Sequence, residues 1–246
     1  MAQNIYDDPA FFAAYSQFRR SREGLAGAAE WPAMRALLPP MEGLDVVDLG
    51  CGFGWFCRWA REAGARTLLG LDVSANMLAR ARAESADPAV RYAEADLDRL
   101  ELPEAGFDLA YSSLALHYVE DFARLTCEVR RALRRDGRFV FSVEHPIYMA
   151  PGAADWVSLP DGRRVWPLDG YQREGPRTTD WLVPGVVKHH RTLETTLNAL
   201  IDGGFSIRRV EAWKPSAEQL ETIPEAAQEL DRPMFLLVAA EAAETG

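Results

Sequence analysis

Val46-Val47-Asp48-Leu49-Gly50-Cys51-Gly52-Phe53-Gly54 is a short apolar run that ends in three glycines at alternate positions. Helix-forming sequence follows from Trp55 to Ala63 and closes at Gly64. The order is that of a buried strand, a tight backbone turn and a helix. Glycine in such a turn lets the main chain take positive φ and lets a ligand approach the backbone closely. The next strand candidate, Thr67 to Asp72, ends in a carboxylate able to accept hydrogen bonds from ribose hydroxyls. Together the two features mark a nucleoside-bearing cofactor held on a doubly wound α/β sheet.

Working outward, strands and helices alternate. Asp45–Leu49, Thr67–Asp72, Val90–Glu94, Phe107–Ser112 and Arg138–Glu144 read as strands. Trp55–Ala63, Ala75 to about Ser85 (capped by Ser74) and Phe122–Leu133 read as the helices between them. That order predicts a parallel sheet covered on both faces. Residues 5–23 read as helical, with Phe11, Phe12, Tyr15 and Phe18 at helical spacing. A second helix over Trp31–Leu38 starts at Pro32 and stops at Pro39-Pro40.

The alternation breaks at His145-Pro146. Residues 146–187 are rich in Pro, Gly, Trp and Asp, and a long irregular segment inside a domain is commonly functional or disordered. Tyr148, Trp156, Trp166, Tyr171 and Trp181 argue against disorder. The segment is read as a lid with one hairpin centred on Asp161-Gly162. Beyond it, Thr192 caps a helix that Gly203-Gly204 ends, and Phe205–Ala212 and Met234–Ala239 read as an antiparallel pair at one edge of the sheet.

The 246 residues suffice for one large domain or two small ones, and 48% hydrophobic with 26% charged residues is ordinary for a globular protein. Three cysteines, Cys51, Cys57 and Cys127, are too few for a disulfide framework and lack zinc-type spacing, which fits a reducing cytoplasm. No run of about 18 apolar residues is present, and Met1 to Tyr15 does not read as a signal peptide. A net charge of −10 argues against nucleic acid as partner. The arginines at 19, 20 and 22 suit either one small anion or a solvated helix face.

The glycine loop separates two kinds of cofactor. A dinucleotide site wants Gly-x-Gly-x-x-Gly with the pyrophosphate on the helix N-terminus. Here Trp55 stands where the last glycine belongs, and Asp48 before the loop would repel a pyrophosphate. The segment Asp48-Leu49-Gly50-Cys51-Gly52-Phe53-Gly54 resembles the first motif of class I S-adenosylmethionine-dependent methyltransferases, small-molecule enzymes of the type 11 kind. Gly70 to Leu78, Ala95-Asp96-Leu97, Phe107 to Ser113 and Leu133 to Phe139 are similar to that family's later motifs, in order and in register. The matches cover residues 44 to about 146.

The resemblance implies a Rossmann-like, doubly wound, mainly parallel seven-stranded sheet with an antiparallel last strand. It also implies an N-terminal helical cap (1–42) and a lid insertion after the fifth strand (146–190), all within one methyltransferase domain, 1–246. It implies S-adenosylmethionine as donor and S-adenosylhomocysteine as product. Asp48, Gly50 and Gly52 would seat the methionine end. Asp72, Val73 and Met77 would lie along the ribose, Met77 also packing its helix on the sheet. Asp96 and Leu97 would meet the adenine, and Ser112 would follow the fourth strand. From the cap, Tyr6 and Tyr15 would cover the sulfonium or the substrate, and Arg19 would take the cofactor carboxylate. Each of these residues also has a plain structural use, as a cap, a turn or core packing.

The implied reaction is in-line methyl transfer to a small-molecule nucleophile, with oxygen favoured because the loop after the fourth strand, Ser112-Ser113-Leu114, lacks an Asn/Asp-Pro-Pro-Tyr segment. Substrates of such folds bind beyond the carboxyl ends of the strands. All four histidines fall there or on the lid's return: His117, His145, His189 and His190. Each is a candidate general base, and each is equally readable as a structural histidine. No metal is expected. The expected partner is a small molecule, without nucleic acid or membrane, for a monomer or homodimer. The rival readings are a methyltransferase of protein or tRNA, which needs an open charged groove, a non-catalytic cofactor-binding module, and a nicotinamide oxidoreductase, which Trp55 and Asp48 disfavour.

Overall fold

The structure, a computed structural model, describes residues 3–152 and 155–243. Residues 1–2 at the head of the expected cap, 153–154 in the expected lid and 244–246 lie outside the described residues.

Three short helices, α1 (Pro9–Tyr15), α2 (Arg19–Arg22) and α3 (Trp31–Leu37), precede the first strand. The single helix expected over 5–23 is therefore broken. Asp8 caps α1 by accepting from Phe11 N at 2.9 Å, with Pro9 at the first position. At Phe18 the backbone turns extended (φ −60°, ψ 149°) before α2 begins. A 3₁₀ turn, Ile5–Asp7, lies ahead of α1.

Then come β1 (Asp45–Leu49), α4 (Trp55–Glu62), β2 (Thr67–Asp72), α5 (Ala75–Ala83), β3 (Val90–Glu94), β4 (Phe107–Ser113), α6 (Phe122–Ala132) and β5 (Leu133–Glu144). The inserted segment holds α7 (Pro146–Met149) and two hairpins, β6 (Val157–Ser158) with β7 (Arg164–Val165) and β8 (Gly175–Thr179) with β9 (Val186–His190). The first hairpin turns at Asp161-Gly162 as expected; the second was not foreseen. The chain ends with α8 (Leu193–Asp202), β10 (Phe205–Ala212), α9 (Ala217–Thr222) and β11 (Phe235–Ala242).

Seven strands form one sheet in the order β10-β11-β5-β4-β1-β2-β3. All neighbouring pairs from β5 to β3 are parallel, and β11 runs antiparallel to both β5 and β10. Alternation along each central strand divides its side chains between two cores. Val47, Leu49, Phe139 and Phe141 join the α6 and α8 side with Leu125 and Leu200. Val46, Leu109, Tyr111 and Val140 join the α4 and α5 side with Phe56 and Leu78. Among the described residues no helix is long and apolar enough to cross a membrane.

The amino ends of the strands are tied by charge. Asp45 accepts from Arg66 Nε at 2.9 Å, Thr67 Oγ1 at 2.8 Å and Arg134 Nη2 at 2.8 Å. Asp108 accepts from Asp45 N at 2.8 Å and Arg134 Nη1 at 2.6 Å. The Arg66 hydrogen bond, followed by those of Thr67 and Arg134, holds the Asp45 carboxyl well below its ordinary pKa against the effect of burial. Its stabilisation is therefore complete above the unfolded carboxylate pKa of about 4 and is lost as pH falls below it. Asp45→Ala should lower the unfolding free energy by about 1–2 kcal/mol, discounted for the exposed arginine side, and should flatten the acid limb of the stability profile. Urea denaturation between neutral and acid pH checks this; an unchanged acid limb would contradict it.

Candidate active site

The sheet order reverses between β4 and β2, with β1 between them, so the loops after β1 and β4 diverge above the carboxyl ends of the strands. The loop after β1 is held from β2. Gly50 N and Cys51 N both donate to Leu71 O at 2.8 Å. Gly52 N donates to Asp72 Oδ2 at 2.9 Å, while Asp72 Oδ1 accepts from Ser74 N at 2.9 Å. Gly50, Gly52 and Gly54 have φ of 80°, 52° and 73°, where side-chain-bearing residues are strained. A Cβ on Gly50 would lie 2.3 Å from Ala115 Cβ, and one on Gly54 2.3 Å from the Tyr92 hydroxyl. At Gly52 the same atom would meet nothing within 4 Å. That open space is part of a cavity of about 270 Å³.

Gly50, Gly52, Asp72, Val73 and Met77 form one wall of the cavity, continued by Asp96 and Leu97. Burial pushes the Asp72 carboxyl up, against the pull of the Ser74 and Gly52 N–H groups. Tyr6, Tyr15 and Phe18 close the cavity from the N-terminal segment, with Tyr6 and Tyr15 in edge contact at 5.1 Å between centroids. Trp181 of the inserted segment stacks on Phe18 at 6.0 Å and lines the same space, as do Tyr148, Met234 and Phe235. The donor set fits a nucleoside bearing a short zwitterionic tail: two carboxylates for hydroxyl and amino groups, an open glycine backbone, and an arginine beside it. Trp55 packs against Gly24 at the start of α4, where a Cβ on that glycine would be 2.5 Å from the indole. This leaves the helix end covered rather than open to a pyrophosphate.

Three expected cofactor residues stand elsewhere. Arg19 is exposed and paired with Glu23 at 2.7 Å. The break before α2 turns Arg20 inward instead, with Nη2 on both Glu30 oxygens at 2.6 and 2.8 Å and the guanidinium 5.9 Å above Phe235. Arg20 lines the cavity. Asp48 is 2% exposed and lies beneath the loop, accepting from Cys57 Sγ at 3.3 Å. Burial pushes it up to about 7, with Asp72 adding to the rise and the Cys57 bond opposing it. Ser112 is buried and donates to Leu49 O at 2.6 Å, tying β4 to β1. β4 runs one residue further than expected, and Ser113 is the serine on the cavity.

Of the four histidines, His117 lines the cavity. Its Nδ1 accepts the Glu144 N–H at 3.4 Å. Burial holds it well below its ordinary pKa, helped by the Lys188 and Arg191 charges, so the ring is neutral at pH 7. The other three are corrections. His145 caps α7, its Nδ1 accepting from Ile147 N at 3.2 Å, and burial pushes it down to about 4. His189 lies in a surface groove with Gln3 and Asp98, outside the cavity. His190 is buried with Nε2 on Tyr171 O at 2.8 Å and Nδ1 without a partner. Alternation along β9 explains the split, since His189 points opposite to Lys188 and His190. Lys188, which sequence reasoning passed over, pairs with Glu144 at 2.5 Å beside the cavity. Among the described residues no group of three or more His, Cys, Asp or Glu side chains is arranged to hold a metal.

A family model for a methyltransferase domain matches residues 47–141. The chain is similar to an S-adenosylmethionine-dependent methyltransferase of Mesorhizobium loti known from a crystal structure, with 64% identity and a TM-score of 0.86 over 89% of this chain and all of that one. It is 33% identical to an uncharacterised protein of Haemophilus influenzae over 85% of each chain. It is also 40% identical to the malonyl-[acyl-carrier protein] O-methyltransferase of Pectobacterium atrosepticum over 56% of this chain, spanning 50% of that relative's length.

His145→Ala should cost about 1 kcal/mol through the lost cap and leave ligand binding at the cavity unchanged. Thermal unfolding and a ligand titration, run side by side, check this; weakened binding with unchanged stability would contradict it.

Proposed function

The chain belongs to the S-adenosylmethionine-dependent methyltransferases, and from that premise we propose that it methylates an oxygen of a small molecule enclosed in the cavity described above. The observation that carries this reading is one space bounded both by the glycine loop with Asp72 and by the aromatic cover of Tyr6, Tyr15, Phe18, Tyr148 and Trp181. An aromatic lining drawn from the N-terminal and inserted segments suits a compact acceptor rather than a macromolecular one. The Pectobacterium relative, an O-methyltransferase, supports oxygen as the accepting atom. A net charge of −10 fits this better than a tRNA substrate.

S-adenosylmethionine supplies an activated methyl when bound. Asp72 receives the ribose hydroxyls, with Val73 and Met77 beside it, and Asp96 and Leu97 meet the adenine. Gly50 and Gly52 let the amino-acid end lie on the backbone. Arg20 takes the carboxylate that the sequence reading gave to Arg19. Arg20 is suited to it because Glu30 occupies only Nη2, leaving Nε and Nη1 available. Tyr6, Tyr15, Phe18 and Trp181 exclude water and hold the acceptor in line. His117 is the histidine we assign to the acceptor. Residues 1–246 act as one catalytic unit, as monomer or homodimer, and the free cysteines suit a reducing cytoplasm.

Calorimetric titration with S-adenosylhomocysteine tests the assignment. Asp72→Ala should weaken binding by roughly 1–3 kcal/mol, and Arg20→Met by a similar amount, through lost charge-assisted hydrogen bonds. Arg19→Met should leave affinity unchanged. Equal affinities for wild type and Asp72→Ala would remove the ribose assignment.

A further inference from the structure

The imidazole of His117 and the phenols of Tyr6 and Tyr118 on the acceptor side of the cavity carry protons. Because His117 Nδ1 accepts the Glu144 N–H, the proton of the neutral ring is on Nε2, and the ring lines the cavity. The Tyr6 and Tyr118 hydroxyls lie 3.3 Å apart. One donates to the other, and the second O–H stays available. Burial raises both phenols far above their ordinary pKa, so they remain protonated. The Glu144 carboxylate on this wall is paired through one oxygen: Lys188 Nζ holds Oε1 at 2.5 Å and sits 4.7 Å above the Trp181 ring.

Behind His117 stands a cation without a counter-ion. Arg191 donates Nη1 to Val119 O at 2.7 Å and Nη2 to Leu116 O at 2.6 Å, bracing the turn that carries His117 and Tyr118. No carboxylate lies within ion-pair distance of it among the described residues; Glu174 and Asp98 act on it only from farther away. Burial lowers its pKa to about 10, with the Glu174 and Asp98 charges opposing the shift. A partly buried charge without a direct ion pair is costly, and an anion placed on the His117 N–H would offset it.

We propose that the methyl acceptor is the carboxylate of an apolar or aromatic acid, and that His117 holds it as a hydrogen-bond donor instead of acting as a base. This rests on the methyl-transfer reading above. A neutral alcohol or phenol must lose a proton to a base; on this wall His117 Nδ1 accepts the Glu144 N–H and the Glu144 carboxylate is paired with the Lys188 ammonium. A carboxylate is already ionised at neutral pH. Its oxygen lone pair forms the new O–C bond while the S–C bond breaks with its electron pair going to sulfur, and no proton is gained or lost. The product is a neutral methyl ester, which loses the charge-assisted hydrogen bond from His117 and the field of Arg191, favouring its release. Phe18, Trp181, Tyr148 and Phe235 suit the apolar body of such an acid.

The test uses the full-length protein with [methyl-³H]-S-adenosylmethionine. The acceptors are a panel of aliphatic and aromatic carboxylic acids, the matching alcohols, phenols and amines, and a small-molecule extract of bacterial cells. Mild alkali releases ester-bound label as volatile methanol. Label that becomes volatile supports the proposal. Base-stable label overturns it while leaving methyl transfer standing, and no transfer above an Asp72→Ala control overturns both. On any acid turned over, His117→Phe should raise KM about 10-fold for the lost hydrogen bond, and His117→Gln, whose amide restores an N–H, should recover most of that. If both variants instead lose kcat by about 100-fold or more, His117 is a base and the assignment fails. Unchanged S-adenosylhomocysteine binding in both variants shows that they are folded.

Discussion

The end of β2 governs the shape of the site. Leu71 contributes one carbonyl that accepts two N–H groups from the loop after β1, and Asp72 accepts a third. These bonds hold Gly50 and Gly52 at positive φ and turn the loop back over the sheet. Ala115 and Tyr92 then pack where Cβ atoms of Gly50 and Gly54 would stand, so two further segments of the chain depend on the same turn. With its oxygens held by Gly52 and Ser74, Asp72 cannot swing away from the cavity it lines. A preformed seat of this kind costs little ordering when a ligand arrives.

Charge is distributed along the sheet by purpose. At the amino ends, Asp45 and Asp108 with Arg66 and Arg134 cross-link four strands. At the carboxyl ends the wall is aromatic, and its ionic groups are few and braced. Trp181 joins the two covering segments, lying 5.4 Å from Phe11, 6.0 Å from Phe18 and 4.7 Å from the Lys188 ammonium. Arg232 does the same work for the first hairpin, packed against Tyr148, Trp166 and Trp156 and paired with Glu229 at 2.6 Å. Closure thus depends on rings contributed by parts of the chain far apart in sequence.

What could be read from the sequence follows from what kind of signal each element leaves. β1 and β2 were bounded correctly because buried parallel strands are apolar runs with sharp turn residues at their ends; β3 was bounded correctly as well, although it is a half-exposed edge strand. β8 left no such signal: Gly175-Pro176-Arg177-Thr178-Thr179 is held only by pairing with β9. Gly50, Gly52, Asp72 and Asp96 lie in local motifs, and they line one cavity together with Tyr15 of the N-terminal segment. Arg20 rather than the expected Arg19 lines the cavity, since the chain turns at Phe18, whose ring packs on Trp181 and Tyr15, and spacing does not show that turn. The histidines were collected by position along the chain, and position could not tell a helix cap (His145) or a buried strand residue (His190) from the one on the cavity wall.

The central claim is that the turn held by Leu71 and Asp72 seats the donor with its sulfur turned toward His117 and Tyr118. A crystal structure of the protein with S-adenosylhomocysteine tests it most directly. The account predicts ribose density on Asp72, adenine between Met77 and Leu97, the amino-acid carboxylate on Arg20, and the sulfur open to the space under Trp181. Density for the ligand outside this cavity, or with its sulfur turned away from His117, would contradict it.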